Sequence, residues 1–202
     1  MSLRMFAEEA LADFSTTAAI APSSHHLSAA MLKSLPLARA RVAVELGAGT
    51  GAITQALLAE LSPLATLVVF EINPRFYNYL KARFSDPRLV LINSSAENVD
   101  RELEQRGYFQ VDAVASSLGL GLMSDRERHT LFERLLPFVH DRAVFTQYQY
   151  IHALQCEKGR VRRLDLRPLL DQYFASVESR VVWRNLPPAF VFSCRRTAAP
   201  VA

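Results

Sequence analysis

The stretch Val42-Ala-Val-Glu-Leu-Gly-Ala-Gly-Thr-Gly51 and the apolar-periodic run that follows it decide the fold of this chain. Apolar residues alternate from Val42 to Leu46, which predicts a buried strand. Three glycines come next, and glycine is favoured where the backbone must turn tightly or approach a ligand closely. Apolar residues then recur at helical spacing, at Ile53, Leu57, Leu58 and Leu61. A strand, a glycine-rich turn and a helix in this order are typical of a nucleotide-binding strand–loop–helix motif.

The glycine spacing separates this motif from two related ones. A phosphate-binding loop has Gly-Lys-Ser/Thr before its helix, and a dinucleotide fold has Gly-x-Gly-x-x-Gly. This chain has Glu45-x-Gly47-x-Gly49-x-Gly51, which resembles the first motif of class I S-adenosylmethionine (SAM)-dependent methyltransferases. The resemblance implies that Glu45 lies close to the cationic ligand, and that the amino-acid end of SAM lies against bare glycine backbone. For the motif alone, a plain strand-to-helix turn is the simpler alternative.

Length and composition indicate one globular domain, since 202 residues with 50% hydrophobic content can form an adequate core. Within it we expect an N-terminal helical segment, 1–36, that covers the cofactor site, and a SAM-binding methyltransferase domain, 37–202. No apolar run approaches the roughly 20 residues needed to span a bilayer, and no signal peptide is evident. We therefore expect a cytoplasmic protein and leave peripheral contact with the inner face of the membrane open. The two cysteines match no metal spacing, so we expect buried thiols and no metal site.

The rest of the chain alternates between short apolar runs and helical patterns. The runs 67–70, 89–92, 111–115 and 143–146 predict strands, and Asn73-Pro74 and Ser124-Asp-Arg-Glu127 predict helix starts. This alternation predicts an α/β fold with a doubly wound parallel sheet. Two later extended runs, 177–183 and 189–194, resemble the antiparallel C-terminal hairpin that completes a seven-stranded class I methyltransferase (Rossmann-like) sheet.

Further cofactor residues are expected at the carboxyl ends of the predicted strands. Glu71 ends the second strand 20 residues after Gly51, where a carboxylate can accept hydrogen bonds from ribose hydroxyls. Ser95 stands where related methyltransferases often have the Asp that binds the adenine amino group, so a hydroxyl, a backbone carbonyl or Glu97 takes that role. The expected cofactor-binding residues are Glu45, Gly47, Gly49, Thr50, Gly51, Glu71, Ile72, Ser95, Ala96 and Ser116.

Three further motifs narrow the resemblance. They are Ala21-Pro-Ser-Ser24, Gln147-Tyr-Gln-Tyr150 after the fifth strand, and Trp183-Arg-Asn-Leu-Pro-Pro188 near the end. With the glycine motif, they resemble bacterial phosphatidylethanolamine (phospholipid) N-methyltransferases over roughly residues 18–196. The resemblance implies methyl transfer from SAM to the amino group of phosphatidylethanolamine, a related phospholipid or another amine. Aromatic faces can hold a methylated ammonium cation, and the expected catalytic residues are Tyr148, Tyr150, Trp183 and Arg184.

Other segments suggest how a lipid substrate is held. The basic run from Lys158 to Arg163, together with Arg167, could bind the lipid phosphate, although a solvated basic face is the simpler interpretation. His152 is the nearest candidate proton acceptor. Residues 4–20 predict an amphipathic helix with an acidic polar face, whereas membrane-surface helices usually carry lysine and arginine there.

Three alternative functions remain open at this stage. An rRNA adenine N6-dimethyltransferase would carry Asn-Ile/Leu-Pro-Tyr after the fourth strand. This chain has Ser116-Ser-Leu-Gly119 there, and its similar string, Asn185-Leu-Pro-Pro188, lies far downstream. A nucleic-acid partner is therefore not expected. A small-molecule methyltransferase with an acceptor other than lipid is a second alternative. The irregular motifs after the third and fourth strands leave a SAM-binding protein without catalysis as the third.

Overall fold

The computed structural model describes residues 25–196, apart from positions 152, 158, 159 and 164. The expected helix over 4–20, the motif at 21–24 and the candidate proton acceptor His152 lie outside the described residues. The backbone of the basic run is described at 160–163, but its side chains are not. The division of the chain at residue 36 stays a prediction.

Helices and strands alternate along the first half of the chain and give way to strands in the second. The first half contains α1 (His25–Leu32), β1 (Val42–Leu46), α2 (Ala52–Glu60), β2 (Thr66–Phe70), α3 (Pro74–Arg83), β3 (Leu89–Ile92), α4 (Val99–Glu104) and β4 (Val111–Ser116). The second half contains α5 (Asp125–Leu135), β5 (Val139–Tyr150), β6 (Leu154–Glu157), β7 (Arg160–Arg163), α6 (Arg167–Leu170), β8 (Ser176–Val182) and β9 (Ala189–Arg195).

Seven strands form one sheet in the order β3-β2-β1-β4-β5-β9-β8. The strands from β3 to β5 are parallel, and β9 is antiparallel to both β5 and β8. The sheet confirms the predicted seven-stranded class I architecture and its C-terminal hairpin. The strand order reverses direction between β1 and β4, and in such sheets ligands bind beyond the carboxyl ends of the strands at this switch point.

Apolar layers cover both faces of the sheet. One contains buried residues of α1, α2 and α3, among them Leu27, Leu57 and Leu80. The other contains buried residues of α4, α5 and α6, including Leu103 and Phe132. A helix spanning a membrane would have to be longer and more apolar than any in the part of the chain that the structure describes.

The predicted helix starts are confirmed, because both caps form. Asn73 accepts a hydrogen bond from the Arg75 N–H at 2.9 Å, with Pro74 as the first residue of α3. Ser124 and Glu127 form the reciprocal capping box of α5. Of the apolar residues that recur at helical spacing in and after α3, Leu80 is buried whereas Phe76 and Phe84 are half-buried.

The fifth strand is longer than predicted. Residues 147–150 do not follow it but form its last four residues, because they pair with β9 from Gln147–Phe192 to Tyr150–Ala189. The strand thus continues three residues past the level at which Gln147 pairs with Ser116, the last residue of β4, about 10 Å at 3.3 Å per residue. We call residues 147–150 of β5 and 189–192 of β9 the β5–β9 wall.

The β6–β7 hairpin is a second correction, because no strands were predicted over 154–163. It is antiparallel and forms a separate two-stranded sheet. The predicted buried thiol is confirmed for Cys194, whose pKa burial raises to about 12. Such a thiol stays protonated and unreactive at neutral pH.

Candidate functional site

The carboxyl ends of β1, β2 and β4 lie level with one another and with Gln147, after which β5 continues for three residues. Leu46 of β1 pairs with Phe70 of β2 and with Ser116 of β4, and Ser116 pairs with Gln147 of β5. The residues that follow these strand ends therefore meet along one edge of the sheet. We call the ends of β1 and β2 the β1–β2 half of this edge, and the ends of β4 and β5 the β4–β5 half.

The three glycines of the predicted cofactor loop have the left-handed backbone, with φ of 78° at Gly47, 54° at Gly49 and 81° at Gly51. A Cβ atom on Gly51 would lie 2.6 Å from the side chains of both Leu80 and Phe84. A Cβ atom on Gly49 would meet nothing within 4 Å. Gly51 is thus required for packing against α3, whereas Gly49 borders open space that a ligand can occupy.

The Glu71 carboxylate ties the glycine loop to the end of β2. Its Oε2 accepts a hydrogen bond from the Gly49 N–H at 2.7 Å, and its Oε1 accepts one from the Asn73 N–H at 2.8 Å. Burial raises the pKa of Glu71, and these backbone N–H groups partly oppose the shift. A carboxylate has about four lone-pair sites, so each oxygen can still accept a ribose hydroxyl.

Glu45 is completely buried at the end of β1. Its Oε2 accepts a hydrogen bond from the Thr54 hydroxyl at 2.6 Å, but its Oε1 has no partner among the described residues. Burial raises the pKa of Glu45 to about 8, so the free protein holds it mostly protonated at neutral pH. An unpaired buried oxygen is costly, and a cationic ligand nearby would both pair with it and favour its ionised form.

Thr50 and Ile72 contribute to the loop mainly through their backbone. The Thr50 carbonyl accepts a hydrogen bond from Arg83 at 2.8 Å. The Asn93 side-chain amide donates to the carbonyl of Glu71 at 2.8 Å and to that of Ile72 at 3.2 Å. Asn93 therefore fixes the segment on which the Glu71 carboxylate depends, a role that sequence reasoning missed.

Ser95, Ala96 and Ser116 lie on this edge as the strand ends require. Ser95 caps the short 3₁₀ turn Ala96–Asn98 by accepting a hydrogen bond from the Glu97 N–H at 3.3 Å. Ala96 is buried in the apolar layer, and the Ser116 hydroxyl accepts a hydrogen bond from the Leu118 N–H at 3.4 Å. The Ser95 hydroxyl retains its hydrogen for an acceptor such as an adenine nitrogen.

Two polar atoms in the β4–β5 half were not among the predicted site atoms. The Ser117 hydroxyl oxygen and the Gln147 Oε1 are buried without a hydrogen-bond partner among the described residues. Gln147 Nε2 donates to the Leu118 carbonyl at 3.0 Å and to the Tyr148 carbonyl at 2.8 Å, so both amide hydrogens are used and the free atom is an acceptor. A glutamine inside an apolar strand could have identified Gln147 as a site residue. The sequence interpretation chose the neighbouring Tyr148 and Tyr150 instead.

The predicted catalytic residues divide into two groups. Tyr148 and Tyr150 are half-buried on the β5–β9 wall, with ring centroids 5.4 Å apart and planes at 70°, against the apolar layer that includes α1. Trp183 is 73% exposed, and Arg184 beside it is also exposed. These two begin the β8–β9 loop, which leaves the sheet where Val182 pairs with Ala189, the partner of Tyr150. All four therefore lie on the carboxyl edge, where the two tyrosine rings pack edge to face.

Comparison with models of protein families finds no match. The ornithine lipid N-methyltransferase of Singulisphaera acidiphila is 31% identical over 179 residues, which cover 88% of each chain. Among solved structures, the 1,6-didemethyltoxoflavin-N1-methyltransferase of Burkholderia thailandensis superposes with a TM-score of 0.67 at 18% identity, covering 98% of this chain and 92% of that one. The precorrin-6y C5,15-methyltransferase of Geobacter metallireducens gives 0.63 at 16% identity, covering 90% and 93%.

The structural matches share the class I methyltransferase fold, and the sequence match extends over most of both chains. The glycine loop, the buried Glu45 and the Glu71 carboxylate fit the cofactor that this fold uses. The chain therefore belongs to the family of class I SAM-dependent methyltransferases that includes the ornithine lipid N-methyltransferase of Singulisphaera acidiphila.

Proposed function

We propose that this protein transfers methyl groups from SAM to the amino group of a membrane-lipid headgroup. The observation that carries the proposal is the 31% identity, over 88% of both chains, to a protein named as an ornithine lipid N-methyltransferase. A second candidate acceptor is phosphatidylethanolamine, favoured by the motifs at 147–150 and 183–188. Both lipids present an amino group beside the membrane surface, so one mechanism serves for both.

The cofactor residues of the proposal are those of the β1–β2 half. When bound, SAM supplies an electrophilic methyl group on a sulfonium centre. Glu71 would accept hydrogen bonds from the ribose hydroxyls, and Glu45 Oε1 would balance the positive charge of the ligand. The open space beside Gly49 would receive its amino-acid end. Ser95 and the backbone around Ala96 would border the adenine.

The acceptor residues of the proposal are those of the β4–β5 half. Methyl transfer to an amine needs a neutral nitrogen whose lone pair is aligned with the reacting methyl. Gln147 Oε1 and the Ser117 hydroxyl, which have no hydrogen-bond partner among the described residues, would accept hydrogen bonds from the N–H groups of the amine and orient its lone pair. Removing a lipid ammonium from water beside the half-buried Leu118 and Tyr148 would lower the pKa of that ammonium, which favours loss of its proton.

The rim residues would act on the rest of the headgroup. Methylation builds up a permanent cation, and the faces of Tyr148 and Tyr150 would stabilise it by about 0.5 to 2 kcal/mol per contact. Arg184 would pair with an anionic group of the lipid, since a guanidinium binds two oxygens at once. This arrangement requires peripheral contact between the carboxyl edge and a membrane.

Incubation with methyl-labelled SAM tests the proposal directly. The protein would be mixed with phosphatidylcholine vesicles that contain either phosphatidylethanolamine or ornithine lipid, and the lipids would then be separated by chromatography. We expect label in at least one amino lipid, and the position of the labelled bands would count the methyl groups added. Calorimetric SAM binding with no label in either lipid would contradict the proposal, and soluble amines and RNA would then be the acceptors to try.

A further inference from the structure

The loop between β8 and β9 has an unusual distribution of side chains. Trp183 is 73% exposed and Leu186 is 84% exposed, whereas the polar Asn185 between them is buried. Loops normally expose their polar residues and bury their large apolar ones. Here Trp183, Asn185 and Leu186 reverse that order, which makes the loop a candidate for an apolar contact with something outside the chain.

The loop is held in place by its own hydrogen bonds. The buried Asn185 amide donates to the Pro187 carbonyl at 2.7 Å, and the Asn185 N–H donates to the Val182 carbonyl at 3.4 Å. The Ile151 N–H, just past the end of β5, donates to the Pro188 carbonyl at 3.0 Å. The buried asparagine thus ties the loop to the end of β8, and the Ile151–Pro188 bond ties it to the segment after β5, so Trp183 and Leu186 project from a defined support.

The two side chains lie on the edge of the sheet that carries the candidate site. Leu122, in the turn after β4, is a third exposed apolar residue on this edge. By contrast, the exposed Leu64 and Phe109 lie before β2 and β4, at the opposite edge. The apolar surface at the carboxyl edge therefore stands beside the acceptor residues of the β4–β5 half.

Charge indicates what this surface contacts. Arg184 is exposed beside Trp183, and the hairpin that leaves the end of β5 carries Lys158, Arg160, Arg162 and Arg163 in its sequence against one acidic residue, Glu157. An indole ring combines an apolar body with a polar N–H and is favoured at membrane–water interfaces. Basic residues next to an inserted apolar side chain are attracted to anionic lipid headgroups.

We propose that Trp183 and Leu186 insert into the interfacial layer of an anionic lipid bilayer, with Arg184 and the basic β6–β7 hairpin against its headgroups. The contact brings the acceptor amine of a lipid to the β4–β5 half without the lipid leaving the membrane. This inference rests on the proposed lipid acceptor. Because only two large side chains insert, binding is reversible and depends on both the apolar and the electrostatic contribution.

Trp183 is the only tryptophan in the chain, so its fluorescence reports on this loop alone. The full chain would be titrated with vesicles of phosphatidylcholine, with or without phosphatidylglycerol; neither lipid carries a primary amine. We expect a blue shift of the emission with the anionic vesicles, and quenching by lipids brominated near the headgroup. Both effects should largely disappear at about 1 M salt, where the Debye length is roughly 3 Å.

Two leucine substitutions provide the matched comparison. Leu186→Ser should weaken binding to anionic vesicles about tenfold, as expected for loss of one inserted leucine. Leu64→Ser changes a residue that is 94% exposed on the opposite edge, and it should leave vesicle binding unchanged. Thermal unfolding and SAM affinity, measured for both variants, would establish that each is folded.

The outcomes separate this inference from the proposed function. Unchanged Trp183 emission on vesicles, in a protein that methylates amino lipid in detergent micelles, would overturn the insertion and leave the function intact. Equal loss of vesicle binding in both leucine variants would also overturn it. An emission shift that Leu186→Ser weakens, in a protein that methylates no lipid, would support the membrane contact while the proposed acceptor fails.

Discussion

In the β1–β2 half of the carboxyl edge the ligand space is defined by backbone, whereas in the β4–β5 half it is defined by side chains. Left-handed glycines and the N–H groups bound to Glu71 shape the first half. The second depends on Gln147 of β5 and on Ser117, which follows β4; each has a buried acceptor without a hydrogen-bond partner among the described residues. The first suits a cofactor common to many enzymes of this fold, and the second suits an acceptor particular to this chain. Substitutions in the first half should accordingly affect SAM binding, and substitutions in the second should affect methyl transfer.

The largest effects are expected for two glycines of the β1–β2 half: substitution of Gly51 should mainly lower stability, and substitution of Gly49 should mainly weaken SAM binding. Gly51→Ala should lower the free energy of unfolding by about 3 kcal/mol, because its Cβ would overlap Leu80 and Phe84 in a left-handed backbone. Gly49→Ala should cost only about 1 kcal/mol of stability but weaken SAM binding at least tenfold, and Gly49→Val should abolish it. Denaturant unfolding and calorimetry measure the two effects. Unchanged SAM affinity in Gly49→Val would contradict the assignment of the cofactor space.

The next largest effect is a dependence of stability and of SAM affinity on pH, which should arise from the β1–β2 half alone. Glu45 has a pKa of about 8 in the folded protein, above its value in an unfolded chain, so folding favours the protonated form. The stabilisation this provides is complete below about pH 4.3 and is lost as pH rises through 8, by at most about 1.4 kcal/mol per pH unit. SAM affinity should change in the opposite direction, increasing up to tenfold per unit toward pH 8, because a cation favours the carboxylate.

Calorimetry of SAM binding at pH 7, in buffers of different ionisation enthalpy, should therefore detect proton release. The control is Glu45→Gln, which keeps the shape of the side chain and cannot titrate. It should remove the pH dependence of both stability and affinity. A pH dependence of SAM affinity that persists in this variant would assign it to another group, of which Glu71 is the nearest candidate.

The smallest effect is expected on the methyl-transfer rate, for substitution of a tyrosine in the β5–β9 wall. Tyr150→Phe keeps the ring that packs on Tyr148 and removes only the hydroxyl. We propose that this hydroxyl donates a hydrogen bond to the lipid headgroup, so its loss should leave SAM affinity unchanged and lower the methyl-transfer rate several-fold, the size of effect that one hydrogen bond produces. Tyr79→Phe changes an exposed tyrosine on α3 and serves as the control. Equal transfer rates for the two variants would remove the Tyr150 hydroxyl from the mechanism.

The first half could be predicted from the sequence because its determinants are local. The glycine spacing, the cap at Asn73 and the carboxylate after β2 each lie within a few residues of the element they define. The second half depends on pairing between distant segments. The length of β5 is set by its pairing with β9, and the importance of Gln147 appears only when its amide hydrogens are found bonded to carbonyls.

The exposure of Trp183 is a further feature that the local sequence could not predict. The motif around Trp183 predicts a substrate contact, but a tryptophan at the end of an apolar run is more often buried than exposed, so its 73% exposure was not predictable. The exposure appears only in the folded loop, where Asn185 is the buried residue. The roles of the individual cofactor and catalytic residues stay predictions until variants are measured.

If the two halves of the carboxyl edge are functionally separable, Gln147→Met should impair methyl transfer and spare SAM binding. Methionine has nearly the same shape but provides no amide oxygen, and Gln149→Met is the control, because the Gln149 Oε1 already accepts a hydrogen bond from the Leu166 N–H at 3.0 Å. The measurement is single-turnover transfer of the labelled methyl group from saturating SAM to the amino lipid that accepts it. SAM affinity is determined in parallel. We expect unchanged SAM affinity and a transfer rate at least about tenfold lower for Gln147→Met than for Gln149→Met. Equal transfer rates, or a loss confined to SAM affinity, would contradict this separation.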